Sequence, residues 1–328
     1  MTILNQDASP PGAGTPRLAA LAHAFADTLS HAQRKDLFQT RTLRNAANWS
    51  NFPEYHLNRG RVGVRTGTLS SPQWTALNAL LAMALCSSPG LGYDRIRQHL
   101  DADEYLHRHG GGDAYGRGNF FVAFLGTPTD TGIWQLQFGG HHLAVANTYA
   151  DGRLIGATPA FRGIEPFRSF TRHGMPDQPE RAEQQALSAL LQSLDAPQAA
   201  TAGLRGRHDD LLLGPHRDWR FPRRSEGIAA RDLTAAQRDL LVAAIVRYVG
   251  DLPEADARRF LDRYRAELPD THVGFTGSTL LTDPGDYVRI DGPSVWIEFS
   301  MHDGIVLTDP HPHAVWRDKH TDYGGLRS

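Results

Sequence analysis

The apolar positions of this chain recur in the same order twice. After the opening LSSPQ of residues 69–73 come Leu77, Leu80, Leu81 and Leu85, and after the opening LTAAQ of residues 233–237 come Leu240, Leu241, Ala244 and Ile245. That spacing gathers one apolar stripe on one side of a helix. A Ser or Thr ahead of each stripe can accept hydrogen bonds from the free amides of the first turn, and Pro72 suits a first-turn position. The spacing predicts a second helix after each. One runs over Tyr93–Leu106 with Ile96 and Leu100 on its face, the other over Glu254–Leu268 with Phe260, Leu261 and Tyr264. Strands follow in both places. Trp134–Asp151 reads WQLQFGGHHLAVANTYAD and Tyr287–Asp303 reads YVRIDGPSVWIEFSMHD. Each is an aromatic-led apolar strand, a Gly-Gly or Gly-Pro break, a second apolar strand and an Asp-Gly turn.

The order helix, helix, sheet thus occurs twice, about 150 residues apart. The fold class that follows is α+β (mixed α/β), with two pseudo-repeated helix-helix-sheet halves packed into one compact two-lobed unit. Residues 1–15, rich in Pro and Gly, read as a disordered tail. The first half spans 16–194, a connection 195–232 and the second half 233–328. Within the first half a helix is expected over about 17–38, with Leu18, Leu21, Phe25 and Leu29 on one face. Another is expected over 180–194 and a strand over 119–126. The connection 195–232 carries turn chemistry throughout, and its length suggests that it covers part of a site.

Charge and composition narrow the function. The chain has 328 residues and a net charge of −2, with both signs mixed along its length. No Lys/Arg run looks like a nucleic-acid footprint. No apolar stretch reaches the roughly 18–20 residues that span a bilayer, and no leader pattern opens the chain. Cys86 is the single cysteine, which excludes an internal disulfide and a thiolate metal cage. The expectation is a cytoplasmic protein with a small-molecule substrate and neither a nucleic-acid nor a membrane partner. Nothing in the sequence marks its oligomeric state.

The candidate chemistry is histidine-rich. His141 and His142 are consecutive at the strand break of the first half. On a regular strand they would face opposite sides, unless Gly139-Gly140 bends it. His311-x-His313 has the complementary spacing: in extended chain both imidazoles share a face, and Pro310 and Pro312 hold the segment extended. One histidine of the first half with these two makes a three-imidazole set of the kind that serves catalytic metal centres. Three readings follow. The first, favoured because no acid pair or nucleophile points to hydrolysis, is an iron- or copper-dependent oxidoreductase; the second is a zinc-type hydrolase. The third is a metal-free module that holds an anionic small molecule or a peptide. Glu298 is a possible carboxylate ligand or general base. Arg317 is placed to clamp a substrate carboxylate. Asp318 or Asp322 could orient a ligand histidine, and Tyr323 is a further catalytic candidate in the same run. Arg289 reads either as a buried partner of Glu298 or as an anion contact. Asp209-Asp210 reads as a solvated loop pair, with cation binding as the other reading. The glycines of 110–118 follow no strand, and no Gly-x-Ser-x-Gly is present, so neither a dinucleotide fingerprint nor a serine hydrolase is expected.

These pieces carry a resemblance. Residues 49–59 (WSNFPEYHLNR), IWQLQFGGHHLAVAN, ATPAFRGIEP, DDLLLG, YVRIDGPSVWIEF and HPHAVWRDKHTDYGG together resemble the bacterial and fungal proteins grouped as domain of unknown function 3500. The resemblance covers nearly the whole chain beyond the N-terminal tail. It implies that the histidines and the Arg317–Gly324 run matter, and it implies no reaction. The chain departs from the pattern at Phe275 and Lys319, where Trp and Pro would be expected; the histidines are untouched.

Overall fold

The computed structural model describes residues 17–53 and 60–327. The expected tail at 1–15 and part of the 49–59 segment lie outside the described residues. The helices are α1 (Leu18–Asp27), α2 (His31–Leu37), α3 (Leu43–Ala46), α4 (Ser71–Ala84), α5 (Gly92–Leu106), α6 (Arg181–Gln192), α7 (Ala196–Ala202), α8 (Ala235–Val249) and α9 (Glu254–Ala266). The first seven strands are β1 (Phe38–Gln39), β2 (Val64–Arg65), β3 (Phe121–Leu125), β4 (Ile133–Gly140), β5 (Leu143–Ala150), β6 (Arg153–Gly156) and β7 (Ala160–Gly163). The rest are β8 (Phe170–Arg172), β9 (Met175–Asp177), β10 (Ile228–Ala229), β11 (His272–Thr276), β12 (Tyr287–Asp291), β13 (Val295–His302) and β14 (His311–Asp318). The class is α+β: helices pack on one face of a large sheet that is antiparallel except for the short β1–β3 pair.

The path through the sheet is β1-β3-β4-β5-β7-β14-β13-β12-β11-β10. Its middle is the antiparallel pair β7–β14, with Gly163 opposite His313 and Ala160 opposite Trp316. The strands of early and late sequence therefore meet only there.

Local signals explain the helix starts. The single helix expected over 17–38 is two helices, because Ser30 starts α2 with a capping box. Its hydroxyl accepts from the Gln33 amide at 3.3 Å and its amide donates to Gln33 Oε1 at 3.0 Å. Asp195/Gln198 and Thr234/Gln237 repeat the device. The glutamines then bond across helices: Gln73 Nε2 donates to Gln33 Oε1 at 3.1 Å, and Gln198 Nε2 to Gln237 Oε1 at 3.0 Å. The span 195–232 is not turn throughout, since α7 and β10 lie inside it.

Strand alternation gives the sheet two unlike faces. Val122, Phe124, Leu136, Phe138, Val288, Ile290, Ile297, Phe299, Ala314 and Trp316 point to the helices and form the main core. Trp316 lies edge-on to Phe260, ring centroids 5.6 Å apart. The opposite face carries Arg289, Glu298, Ser300, His302, His311, His313 and Arg317, all in register across β12, β13 and β14. It is buried too, under the chain around Trp49 and the stretch from Leu211 to Trp219.

Candidate metal centre

His141 and His142 do not lie on a strand. They form the two-residue turn between β4 and β5, whose last pair is Gly140 opposite Leu143. A Cβ on Gly140 would stand 2.6 Å from the Phe120 ring, so the strand reaches the turn only through glycine. His142 takes the left-handed conformation, φ 59°, which few side chains adopt. Backbone bonds hold it: its amide donates to Asn51 O at 3.1 Å and its carbonyl accepts from the Gly163 amide at 2.8 Å. The expected choice between opposite sides therefore falls away, because the two rings stack at 3.7 Å.

His311 and His313 share the buried polar face of β14, and His302 lies opposite His311 on β13. His142 Nε2 and His313 Nε2 are 3.2 Å apart. Ligand atoms of His142, His311 and His313 all lie within 4.8 Å of one another, as do those of Asp210, His302 and His313. Asp210 Oδ1 is 3.3 Å from His313 Nδ1 and 3.2 Å from His302 Nε2. Both ring nitrogens of His311 are buried, with no hydrogen-bond partner among the described residues. His141 points its Nδ1 to Asp103 Oδ1 at 2.6 Å, and Asp103 Oδ2 accepts from the Gly116 amide at 2.7 Å. Tyr115 meets the His141 ring edge-on at 4.9 Å.

Burial sets the protonation states. Loss of water, and then the neighbouring His141, His311 and His313, hold the His142 pKa well below the ordinary imidazole value. Burial takes His311 down to about 2. His313 falls to about 4, although Asp210 pulls the other way. These rings are neutral near pH 7, with lone pairs free for a cation. Burial would raise Asp210, but the His302 and His313 imidazoles facing it outweigh burial and keep the carboxyl well below the carboxylate range.

The residues fit a transition-metal ion. Two nitrogens bound tetrahedrally at about 2.0–2.1 Å from one ion stand about 3.3 Å apart, close to the 3.2 Å seen between His142 and His313. The unpartnered nitrogens of His311 supply a third donor. The cluster borders a cleft of about 560 Å³ lined by Asn51, Phe52, Pro53, Tyr115, His141, His142, Ile305 and His313.

The other expected site residues lie elsewhere, and none of them lines this cleft. The Glu298 carboxylate is buried and accepts from Leu212 N, Leu213 N, Tyr287 OH and Trp296 Nε1 at 2.5–2.9 Å. Burial raises its pKa, and it acts as a staple for the covering chain. Arg289 faces Glu298 across the β12–β13 ladder, yet its ion pair, at 2.5 Å, is with Glu226. Arg317, expected to clamp a substrate, binds Asp322 and Asp218 at 2.7 Å each and the Leu213 carbonyl at 3.0 Å, fully buried. Asp318 points to the opposite face of β14 from His313, where Tyr264 OH donates to it at 2.7 Å and Arg263 pairs with it. It cannot orient a ligand histidine from there. Tyr323 sits in the core beside Trp49 and donates to Asp218 Oδ1 at 2.5 Å. The sequence pattern does not single out Asp103 or His302, and Asp210 reads there as solvated. The signal for His302 was the polar alternation Glu298, Ser300, His302 along an otherwise apolar strand.

An α+β protein whose central strand pair gathers histidines from both ends of the sequence is the class that fold and site define. The chain belongs to the family described as protein of unknown function (DUF3500), which matches residues 12–325. Neither a curated protein nor a solved structure matches it. Among the described residues no helix is long and apolar enough to cross a membrane.

Proposed function

We propose that this chain is a metal-dependent enzyme acting on a small molecule, with His142, His311 and His313 as ligands. The observation that carries this is His311: a buried, neutral ring with both nitrogens unpartnered, beside two more imidazoles and an open cleft. A buried polar group left unpaired costs about 1–3 kcal/mol, so a ring held this way wants a partner. Bound there, an ion would supply Lewis acidity and an activated water, or electron chemistry if the metal is redox-active.

The chain's own residues then have definite tasks. Asp103 accepts the Nδ1 proton of His141, which leaves Nε2 of that ring to take or give a proton at the cleft wall. Phe52, Tyr115 and Ile305 offer apolar contact to a substrate. Arg289 and Arg317, expected to draw an anion, are both engaged with protein carboxylates. An all-imidazole set serves iron or copper oxidation and zinc hydrolysis alike. The Asp103–His141 pair favours the water-activating reading, because proton transfer beside an activated water is what hydrolysis needs.

Elemental analysis of untagged protein tests the proposal. About one or more equivalents of a transition metal are expected, with one equivalent fewer in His142→Asn. Less than about 0.2 equivalents, with no uptake on titration, would overturn it. Oxygen consumption with the retained metal separates the oxidoreductase from the hydrolase.

A further inference from the structure

We propose that His313 is shared by two cation sites: its Nε2 faces His142 and His311, and its Nδ1 faces Asp210 and His302. This deepens the metal reading above and rests on it.

The geometry on the second side of the ring repeats that on the first. Asp210 Oδ1 stands 3.3 Å from His313 Nδ1 and 3.2 Å from His302 Nε2, against 3.2 Å between His313 Nε2 and His142 Nε2. All three spacings match the donor–donor edge of about 3.3 Å around a tetrahedral ion of zinc or copper size. His302 Nε2 is itself buried and makes no hydrogen bond among the described residues, despite its nearness to Asp210. The rings of His302 and His313 lie 4.1 Å apart, and His311 flanks both, at 6.0 and 5.2 Å. Four imidazoles thus crowd one end of β13 and β14, more than one ion of low coordination number would use.

Asp210 supplies the one negative charge. Its Oδ1 also accepts from the Leu211 amide at 2.7 Å, which fixes the carboxylate, and its side chain is 43 % exposed, so an ion has a way in from solvent. Two nitrogens and one oxygen, with open positions, suit zinc, copper or nickel and disfavour calcium or magnesium, which take oxygen ligands. When both ions bind, the remaining ring proton of His313 leaves to solvent. The bridging ring then carries a negative charge between two cations.

The competing role for Asp210 is plain orientation of His313 as a ligand of one ion. Stoichiometry separates the two. Metal-free full-length chain is titrated with Zn(II), and separately with Cu(II), then desalted and its bound metal counted. The expectation is about two equivalents in wild type and about one in each of Asp210→Asn, His302→Gln and His142→Asn. His313→Ala should hold much less than the single-site variants. Electron paramagnetic resonance of the copper form should integrate to far fewer than two spins in wild type, because the shared ring couples them, and to about one in Asp210→Asn. Circular dichroism confirms folding, and Asp210→Asn and His302→Gln are close enough in size that one can stand in for the other. Wild type saturating at one ion with a full mononuclear signal overturns the sharing and leaves the single-ion enzyme intact. Two ions persisting in both His302→Gln and Asp210→Asn also overturns it. No binding at all removes both proposals.

Discussion

Gly163 has no side chain because two imidazoles close over it. A Cβ there would lie 2.9 Å from Cδ2 of His313 and 3.0 Å from Cδ2 of His142. Gly163→Ala should therefore push the rings apart. We expect metal affinity to fall by about 10- to 100-fold, as when other groups that set ligand orientation are changed. Overpacking should cost about 1–3 kcal/mol of stability. Competition with a chromophoric chelator reads the first and a urea midpoint the second. Unchanged affinity would show that the spacing of these rings does not matter to the ion.

Asp103→Asn should separate the His141 role from metal binding. The carboxylate accepts from His141 and from the Gly116 amide in a buried setting. The substitution should cost about 2 kcal/mol in a denaturant titration, because charge-assisted bonds are lost there. Metal content should stay within twofold of wild type. A matching loss of metal would place Asp103 among the supports of the ligands instead.

Acid should unfold the metal-free chain early. His99 and His313 are held at about 4 and His311 at about 2, and His142 well below the ordinary value, in each case first by burial. Above the unfolded value of about 6.5 both states carry these rings neutral, and stability does not depend on them. Below it the unfolded chain takes up protons that the fold refuses, so stability falls as pH drops from about 6.5 towards 4. The slope is about 1.4 kcal/mol per pH unit per ring, and at most about 5.5 for all four. Urea midpoints measured between pH 7 and pH 5 check the sign; a flat profile would mean that the rings are already charged or exposed.

Glu165 pins the loop at the cleft mouth. Its Oε1 accepts from the amides of Ile305, Val306 and Leu307 at 3.0, 3.0 and 2.7 Å, and Ile305 lines the cleft. Glu165→Gln removes the charge and should weaken these bonds by about 1–2 kcal/mol. Hydrogen exchange at those three amides should then quicken by about 5- to 30-fold, with exchange in α8 unchanged.

His142→Asn tests the cost of the turn. Asn tolerates the left-handed conformation that His142 adopts at φ 59°. The metal-free variant should stay within about 1 kcal/mol of wild type while its metal affinity falls. A variant that unfolds would show that the ring is there for packing.

Much of the scaffold could be read from the chain. The helices after LSSPQ and LTAAQ, the strand pair around Gly139-Gly140 and the shared face of His311 and His313 all appear as expected. Strand parity adds to this. His313 and Asp318 are an odd number of residues apart on β14, so they face opposite sides, which rules out Asp318 as its support. The helix break between α1 and α2 lies behind a continuous apolar stripe, because a capping box is weaker as a pattern than as a structure.

Short-range facts were settled by the amino-acid order itself, since helix periodicity, strand alternation and caps each depend on residues a few positions apart. What the sequence alone left open was convergence. His141 meets Asp103 across 38 residues, and His313 meets Asp210 across 103 and His142 across 171. Nothing in a local pattern encodes such meetings. They follow from the central β7–β14 pairing and from the chain that lies over the polar face, because only sheet order and packing decide which distant side chains share one buried space.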